Sequence, residues 1–259
     1  MTSLTLILIL AAVSVASLLM VSLVNHRQNQ ARIIRQKLKQ LRLHSDELEE
    51  LVLTADQLLE SRSVARLIND EVISHTEKML QLDSRAQYLE SSLANARSRA
   101  GDYSSEPQNR NVNRMVNSDA QIARAQTSLL EMGRIVRRIH SQSRLSSEEL
   151  QIFIAELAWA HLMVNVISLI AHGYKAALRN DFLSADAFYK RAKYALVQTP
   201  QPDPRHSRMI KELGEMNNYR RVSLSQDLMH ETVENFDADN VQKNMQTYYE
   251  KLLASKALG

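Results

Sequence analysis

The chain has 259 residues, a formal net charge of +3 and no cysteine. The lack of cysteine excludes a disulfide framework, thiolate zinc sites and cysteine nucleophiles, and it fits a reducing compartment. Glycine and proline are scarce, with five and four residues. No segment alternates apolar and polar residues over the length of a strand, so we expect an all-α fold.

The first predicted element is a transmembrane helix over residues 2–24, which carry no charged side chain. A helix of this length rises about 1.5 Å per residue and spans a hydrocarbon core of about 30 Å. The charges that follow it are basic, which is typical of a retained anchor rather than of a cleaved signal peptide. The positive-inside rule then places the N-terminus outside and the rest in the cytoplasm, at a bacterial inner membrane. Six residues are predicted to contact the membrane surface: Arg27, Arg32, Arg35, Lys37, Lys39 and Arg42.

Residues 25–100 are predicted to form a coiled-coil rod. Apolar or small residues recur at spacings of four and three from Ile34 to Leu59 and again from Ala65 to Ala100, which is the heptad pattern of a coiled coil. The pattern loses phase near residues 59–65. The rod is therefore either one long helix or a hairpin that folds back at Arg62. The hairpin packs on itself and needs no partner chain. We expect the rod to associate copies of the chain into a homo-oligomer.

A polar segment, residues 101–117, is predicted to be a linker, because it contains a proline and is rich in Asn and Ser. It leads into an all-helical domain over residues 118–259. We expect the first helix of this domain to start near Ser118. Ser146 and Glu149 have the spacing of a capping box and predict the start of the next helix.

The end of the chain is predicted to contain an extended turn followed by two helices. Residues 199–205 include three prolines within five positions, which do not fit inside a helix. One helix is expected from about His206 to Phe236. A last helix is expected from Ala238 to Ala254, with Asp237 as its cap.

The segment 166–199 has a repeat-like spacing of small and aromatic residues: Gly173, Asn180, Asp181, Phe182, Ala185, Tyr189 and Ala192. In this spacing the segment resembles one unit of the tetratricopeptide repeat family. The resemblance implies two antiparallel helices that bind a protein partner on a concave surface. Any tight αα-hairpin with small residues at its crossing has the same spacing, and a stable array needs about three units. The residues expected to bind the protein partner are Tyr174, Lys175, Arg179, Phe182, Tyr189 and Lys193.

The sequence contains no catalytic, cofactor-binding or metal-binding signature, so we expect a protein that is not an enzyme and uses no cofactor. His230 and Glu231 begin a zinc-peptidase helix motif, but Glu234 stands where the second histidine is required. A glycine-rich phosphate loop and a nucleophile elbow are also missing.

These features together predict a single-pass, membrane-anchored cytoplasmic scaffold or adaptor. It self-associates through its coiled coil and binds a protein partner through its distal helical domain. The alternative is a membrane-tethered protein that binds nucleic acid, because basic residues clustered on one face favour phosphate contacts. The two basic stripes that this alternative uses are Arg134, Arg137, Arg138 and Arg144, and then Lys175, Arg179, Lys190, Arg191 and Lys193.

Overall fold

The computed structural model describes residues 3–83, 86–105, 112–218, 220–221, 223–230 and 238–257, and for many residues before 28 it describes the backbone alone. Within these residues it has eight helices and no strand, which confirms the predicted all-α class. The helices are α1 (Ser3–Leu58), α2 (Ser63–Leu82), α3 (Gln87–Ser104), α4 (Asp119–Ser141), α5 (Ser147–Leu178), α6 (Phe182–Gln198), α7 (Pro204–Asn217) and α8 (Ala238–Ala257).

The chain divides into two compact units. Unit 1 comprises Met1–Glu49 and Asp70–Ser98, and unit 2 comprises Glu50–Asn69 and Arg99–Gly259. Helices α1, α2 and α3 therefore each contribute residues to both units.

In unit 1, parts of α1, α2 and α3 lie side by side. The rings of His44 on α1 and His75 on α2 meet edge to face, with their centroids 5.0 Å apart. Arg97 on α3 donates a hydrogen bond to Glu77 on α2 at 2.8 Å. Residues of the heptad rows are buried here within a single chain: Leu48, Val72, Met79, Leu89, Leu93 and Ala96.

The predicted rod is not one long helix. Helix α1 ends at Leu58 and α2 begins at Ser63, so the alternative of an unbroken helix is wrong. The connection lies inside the stretch where the heptads lose phase. A second interruption, between Leu82 and Gln87, was not predicted, because the apolar spacing continues across it.

Helix α3 extends four residues into the predicted linker and ends at Ser104, so the boundary expected at residue 101 is wrong. A contact made after folding favours the longer helix, because the guanidinium of Arg62 lies over the ring of Tyr103 at 5.2 Å. The hydroxyl of Ser104 also donates to the carbonyl of Ala100 at 2.7 Å. Residues 106–111 of the predicted linker lie outside the described part of the chain.

The helix starts predicted near Ser118 and after Ser146 are confirmed. Ser118 is the N-cap of α4, and its side chain accepts a hydrogen bond from the backbone of Gln121. Ser146 is the N-cap of α5 and forms the expected reciprocal capping box with Glu149. These hydrogen bonds satisfy amide groups that have no partner within the helix.

Helix α5 is the central helix of unit 2 and packs against α4, α6 and α8. Its residues from Trp159 to Ala177 supply much of the buried core. Within the part of the chain that the structure describes, α5 is also the one helix long and apolar enough to cross a membrane, with a mean hydropathy of 1.8. We assign α5 to the core, since the core helix of a soluble domain has the same composition. The predicted anchor, residues 2–24, belongs to α1 from Ser3 onward, and most of its side chains lie outside the described residues.

Helices α5 and α6 form a tight hairpin. The connection turns at Asn180, which has a left-handed φ of 60°, a conformation that asparagine tolerates better than most residues. Asp181 then caps α6 by accepting a hydrogen bond from the backbone of Ser184 at 3.2 Å. Gly173 and Ala185 lie at the crossing, where Tyr189 packs against Gly173.

Helix α7 ends at Asn217, so the helix predicted from about His206 to Phe236 is wrong in its second half, as far as residues 218–230 are described. The chain turns back because Glu212 on α7 accepts hydrogen bonds from the backbone and the hydroxyl of Ser225, both at 2.8 Å. The helix also begins two residues before the predicted start at His206, with Pro204 in its first turn. A proline is tolerated there, because the first turn leaves its backbone N–H groups without a partner inside the helix.

Candidate functional site

The predicted protein-binding residues do not form one surface. Tyr174, Phe182 and Tyr189 belong to the hydrophobic core, with exposures of 2%, 6% and 0%, so their assignment to a binding surface is wrong. The small residues of the hairpin let the helices approach closely, and the aromatic rings fill the space between them.

The three basic residues of the same prediction differ in their surroundings. Lys175 donates a hydrogen bond to the side chain of Asn117 at 2.9 Å. Arg179 is exposed at the end of α5, and Lys193 is half-buried on α6. Lys175 and Arg179 are four residues apart at the end of α5, which is the spacing of neighbours on one helix face, whereas Lys193 belongs to α6.

The basic residues predicted to contact the membrane lie on α1. The side chains of Arg32, Arg35, Lys37, Lys39 and Arg42 are exposed. The side chain of Arg27 lies outside the described residues.

The basic stripes proposed for nucleic acid are exposed except for the half-buried Lys175 and Lys193, and they are partly engaged within the protein. Arg134 donates to Glu131 at 2.7 Å and Arg137 donates to the carbonyl of Gly133 at 3.3 Å. On α6, Lys190 pairs with Asp186 at 2.6 Å. These internal contacts reduce the positive charge that the stripes present to a phosphate backbone.

The outer face of α6 carries an exposed row of residues that is apolar except for one lysine. It is formed by Leu183, Ala187, Lys190, Tyr194 and Val197, which follow one another at spacings of four and three residues. Leu183, Tyr194 and Val197 are 64%, 67% and 52% exposed. This spacing is the one by which a helix packs lengthwise against another helix.

Unit 2 also contains a cleft of about 580 Å³. It lies between the α1–α2 connection, the first half of α5 and the segment that leads into α7. The residues that line it are Glu60, Ser61, Ser63, Ile152, Phe153, Ala155, Glu156, Trp159, Gln201, Pro202, Asp203 and Arg205.

An ion-pair network forms one wall of the cleft and joins segments far apart in the sequence. Arg205 donates to both carboxylate oxygens of Glu60, at 2.8 and 3.1 Å, and to Oδ1 and Oδ2 of Asp203, at 2.9 and 2.7 Å. Arg114 donates to Glu60 at 3.0 Å and to the carbonyl of Leu58 at 3.0 Å. Two-point contacts between arginine and carboxylate are strong and fix the relative orientation of the two groups.

The network holds Glu60 in its ionised form. Burial by itself raises the pKa of this carboxyl, but the hydrogen bonds and positive charges of Arg205 and Arg114 outweigh burial, so the pKa is lowered overall. The guanidinium of Arg205 is further held over the ring of Trp159, at 4.9 Å from its centroid, a favourable cation–π distance.

The pKa of Glu156 is shifted in the opposite direction from that of Glu60. It accepts hydrogen bonds from the backbone N–H and the hydroxyl of Ser61, at 2.8 and 2.9 Å. Burial nevertheless raises the pKa of Glu156, and the nearby charge of Glu60 acts in the same direction. Glu156 thus gives the cleft a carboxyl that is costly to ionise.

The wall of the cleft also contains an unsatisfied donor. Trp159 is 6% exposed, and its indole N–H has no hydrogen-bond partner among the described residues. Burying such a donor without a partner costs about 1–3 kcal/mol. The described residues contain no group of three or more histidine, aspartate or glutamate side chains that would hold a metal ion.

Sequence reasoning missed the cleft, because its residues come from three distant segments. One local signal was present: Glu156 is the single acidic residue between Leu150 and Leu178, an otherwise apolar stretch. A carboxylate in such a stretch is normally paired or functional.

Comparison with known proteins identified no relative. A scan against protein-family models, a search of curated proteins and a search of solved structures each found no match to this chain.

Proposed function

We propose that the chain is a membrane-anchored cytoplasmic scaffold that binds a protein partner through the outer face of α6. The observation that carries this proposal is the row of Leu183, Tyr194 and Val197, each more than half exposed. Exposed apolar surface of this kind marks interaction sites in soluble proteins. The resemblance of the α5–α6 hairpin to a tetratricopeptide unit supports the same role.

The charges on this face favour an acidic helix of another protein over a second copy of the chain. Lys190 and Arg191 are both exposed and lie at the middle of the row, seven and six residues from its end at Val197. Lys190 is already paired with Asp186 at 2.6 Å, but lengthwise two-fold pairing of two copies would bring Arg191 near its own counterpart, and like charges at such positions are destabilising. A partner helix with an acidic residue at its centre complements them.

The uncharged run at residues 2–24 and the six basic residues that follow it support anchoring with the N-terminus outside. In a bacterial inner membrane, each basic residue near the anionic inner leaflet adds about 1 kcal/mol of attraction. The outer face of α6 would then bind its partner on the cytoplasmic side of the membrane.

Self-association is proposed through the first part of the cytoplasmic stretch of α1. Ile33, Ile34 and Leu43 are 52%, 38% and 55% exposed. The seam residues nearer the end of α1, such as Leu48 and Val52, are buried within the chain and are not free for a second copy.

Site-specific photocrosslinking tests the partner site. A photoreactive phenylalanine at Tyr194 of the full chain should give a discrete protein adduct in cells, whereas the same group at Thr127, exposed on α4, should not. Leu183→Asp together with Val197→Asp should remove the Tyr194 adduct. Leu130→Asp, at a residue 57% exposed on α4, is the matched control and should leave it unchanged.

Identical adduct patterns from Tyr194 and Thr127 would contradict the assigned surface. The nucleic-acid alternative is tested with the same full chain in detergent. Duplex binding that weakens steeply with salt would support that alternative, since phosphate contacts release counterions.

The anchor has its own test, with arginines placed at Val13 and Val15 of the full chain. Each costs about 2.5–3.5 kcal/mol at the centre of a membrane helix, so the variant should leave the membrane fraction after alkaline extraction. Ile33→Arg with Leu53→Arg changes two exposed residues of the same helix outside the run and should stay membrane-bound. Retention of both variants would contradict the anchor.

A further inference from the structure

The cleft of unit 2, taken together with its ion-pair network, holds three carboxylates and two cations. Arg205 and Arg114 compensate Glu60 and Asp203 through their ion pairs. Glu156 forms no ion pair with any residue that the structure describes, and Ser61 supplies its hydrogen bonds. The charge of Arg114 lowers the pKa of Glu156 by less than burial raises it. An ionised Glu156 is therefore buried without an ion-pair partner of its own among the described residues, which is an unfavourable state for a carboxylate.

We propose that the cleft binds an alkylammonium or alkylguanidinium group, as carried by a lysine or arginine side chain or by a free amine, and that Glu156 is its countercharge. A carboxylate and such a cation form a charge-assisted hydrogen bond, roughly twice as strong as a neutral one. Neutral or anionic ligands do not supply the missing positive charge. This site is independent of the outer face of α6.

The remaining lining residues suit the alkyl stem of such a ligand. Ile152, Phe153 and Pro202 give the cleft an apolar side, along which a basic side chain packs its methylene groups while its charged end reaches a polar group. The volume of about 580 Å³ lies within the range of about 300–1,000 Å³ for ligand pockets. The raised pKa of Glu156 fits a carboxyl whose cation is supplied by a ligand.

Trp159 provides a direct reporter, because it is the single tryptophan of the chain and lines the cleft. The full chain in detergent is titrated with n-butylammonium chloride while the fluorescence of Trp159 is recorded. Sodium chloride and n-butanol are the controls for charge and for alkyl chain. We expect a saturable change with n-butylammonium and none with either control.

A lysine peptide separates the two sources of the cation. If acetyl-Ala-Lys-Ala-amide binds at least about tenfold more tightly than n-butylammonium, the site takes a side chain of a protein. Equal affinities indicate a free amine. Both results support the proposed chemistry.

Two variants of α5 test the role of Glu156. Glu156→Gln keeps the shape and removes the charge, so binding should weaken at least about tenfold, while Glu148→Gln, at an exposed residue of the same helix, should bind normally. Ile152→Lys places an ammonium one turn before Glu156, where helical side chains meet, and should block the probe. Ile152→Met is its control and should bind.

The proposal is overturned by an absence of any saturable response in the wild-type chain. It is equally overturned if sodium chloride or n-butanol gives the same response, or if Glu156→Gln binds n-butylammonium as tightly as the wild type. A thermal melt establishes that each variant is folded, and Ile152→Lys supplies a second result that does not depend on changing Glu156.

Discussion

Gly173 on α5 lies directly against the ring of Tyr189 on α6. A Cβ atom at position 173 would be 2.6 Å from Cε1 and 2.9 Å from Cδ1 of this ring, and 3.2 Å from the carbonyl oxygen of Ala185. Tyr189 is fully buried, so its ring has no free space into which it can move. The hairpin of unit 2 therefore requires a glycine at this crossing.

Gly173→Ala should destabilise the protein by about 1–3 kcal/mol, the usual cost of overpacking a core. Gly101→Ala is the matched control, because a Cβ there meets no atom within 4 Å and alanine favours the helix by about 0.5–1 kcal/mol. Chemical denaturation of the two variants measures both effects. A Gly173→Ala chain as stable as the wild type would show that the crossing is looser than described.

The ion pair of Glu60 and Arg205 should contribute measurably to stability, because it is bidentate and both side chains are partly buried. In a double-mutant cycle with Glu60→Gln and Arg205→Leu we expect a coupling energy of about 1–3 kcal/mol. The exposed pair of Glu131 and Arg134 is the control and should give less than about 1 kcal/mol. Equal coupling in the two cycles would argue that the cleft network is loosely held.

Acid should destabilise the fold through Glu60. The pKa of this carboxyl is lowered from its ordinary 4.5 in the folded chain, so the unfolded chain binds the proton more tightly. The stability that Glu60 contributes is therefore present above about pH 4.5 and is lost as the pH falls through the folded pKa. Glu60→Gln should flatten this part of the stability curve, measured by denaturant unfolding across the acid range.

Glu156 should have the opposite pH dependence. Its pKa is raised above the ordinary 4.5, so the folded chain binds the proton more tightly and loses stability as the pH rises through the folded pKa. Glu156→Gln should therefore gain stability relative to the wild type near pH 7 and lose that gain below about pH 4.5. The exposed Glu148→Gln is the control, and the same curve for both variants would contradict the assignment.

The capping box of α5 should contribute to the stability of unit 2. Ser146→Ala removes the acceptor for the backbone of Glu149, 3.1 Å away, and should cost about 0.5–2 kcal/mol. Ser207→Ala, at an exposed position inside α7, is the control and should be neutral or slightly stabilising, since alanine is the better helix former. Thermal unfolding of the two variants measures both effects. An equal loss of stability in both variants would contradict a contribution from the capping box.

The sequence by itself determined the helical class and the local helix starts. Scarce glycine and proline, together with the absence of strand periodicity, were sufficient to predict an all-α chain. The starts at Ser118 and Ser146 were also predictable, because a capping side chain and its amide lie within three residues of each other.

The tertiary structure decided where helices end and which side chains are accessible. Helix α7 stops at Asn217 because Glu212 binds Ser225, a contact between residues whose spacing gives no local signal. Tyrosine is a residue type common on binding surfaces, yet the close crossing of the helices at Gly173 buries both Tyr174 and Tyr189. The cleft around Glu156 exists only after folding, because three segments far apart in the sequence supply its walls. The balance of charges in it likewise depends on side chains that folding brings together.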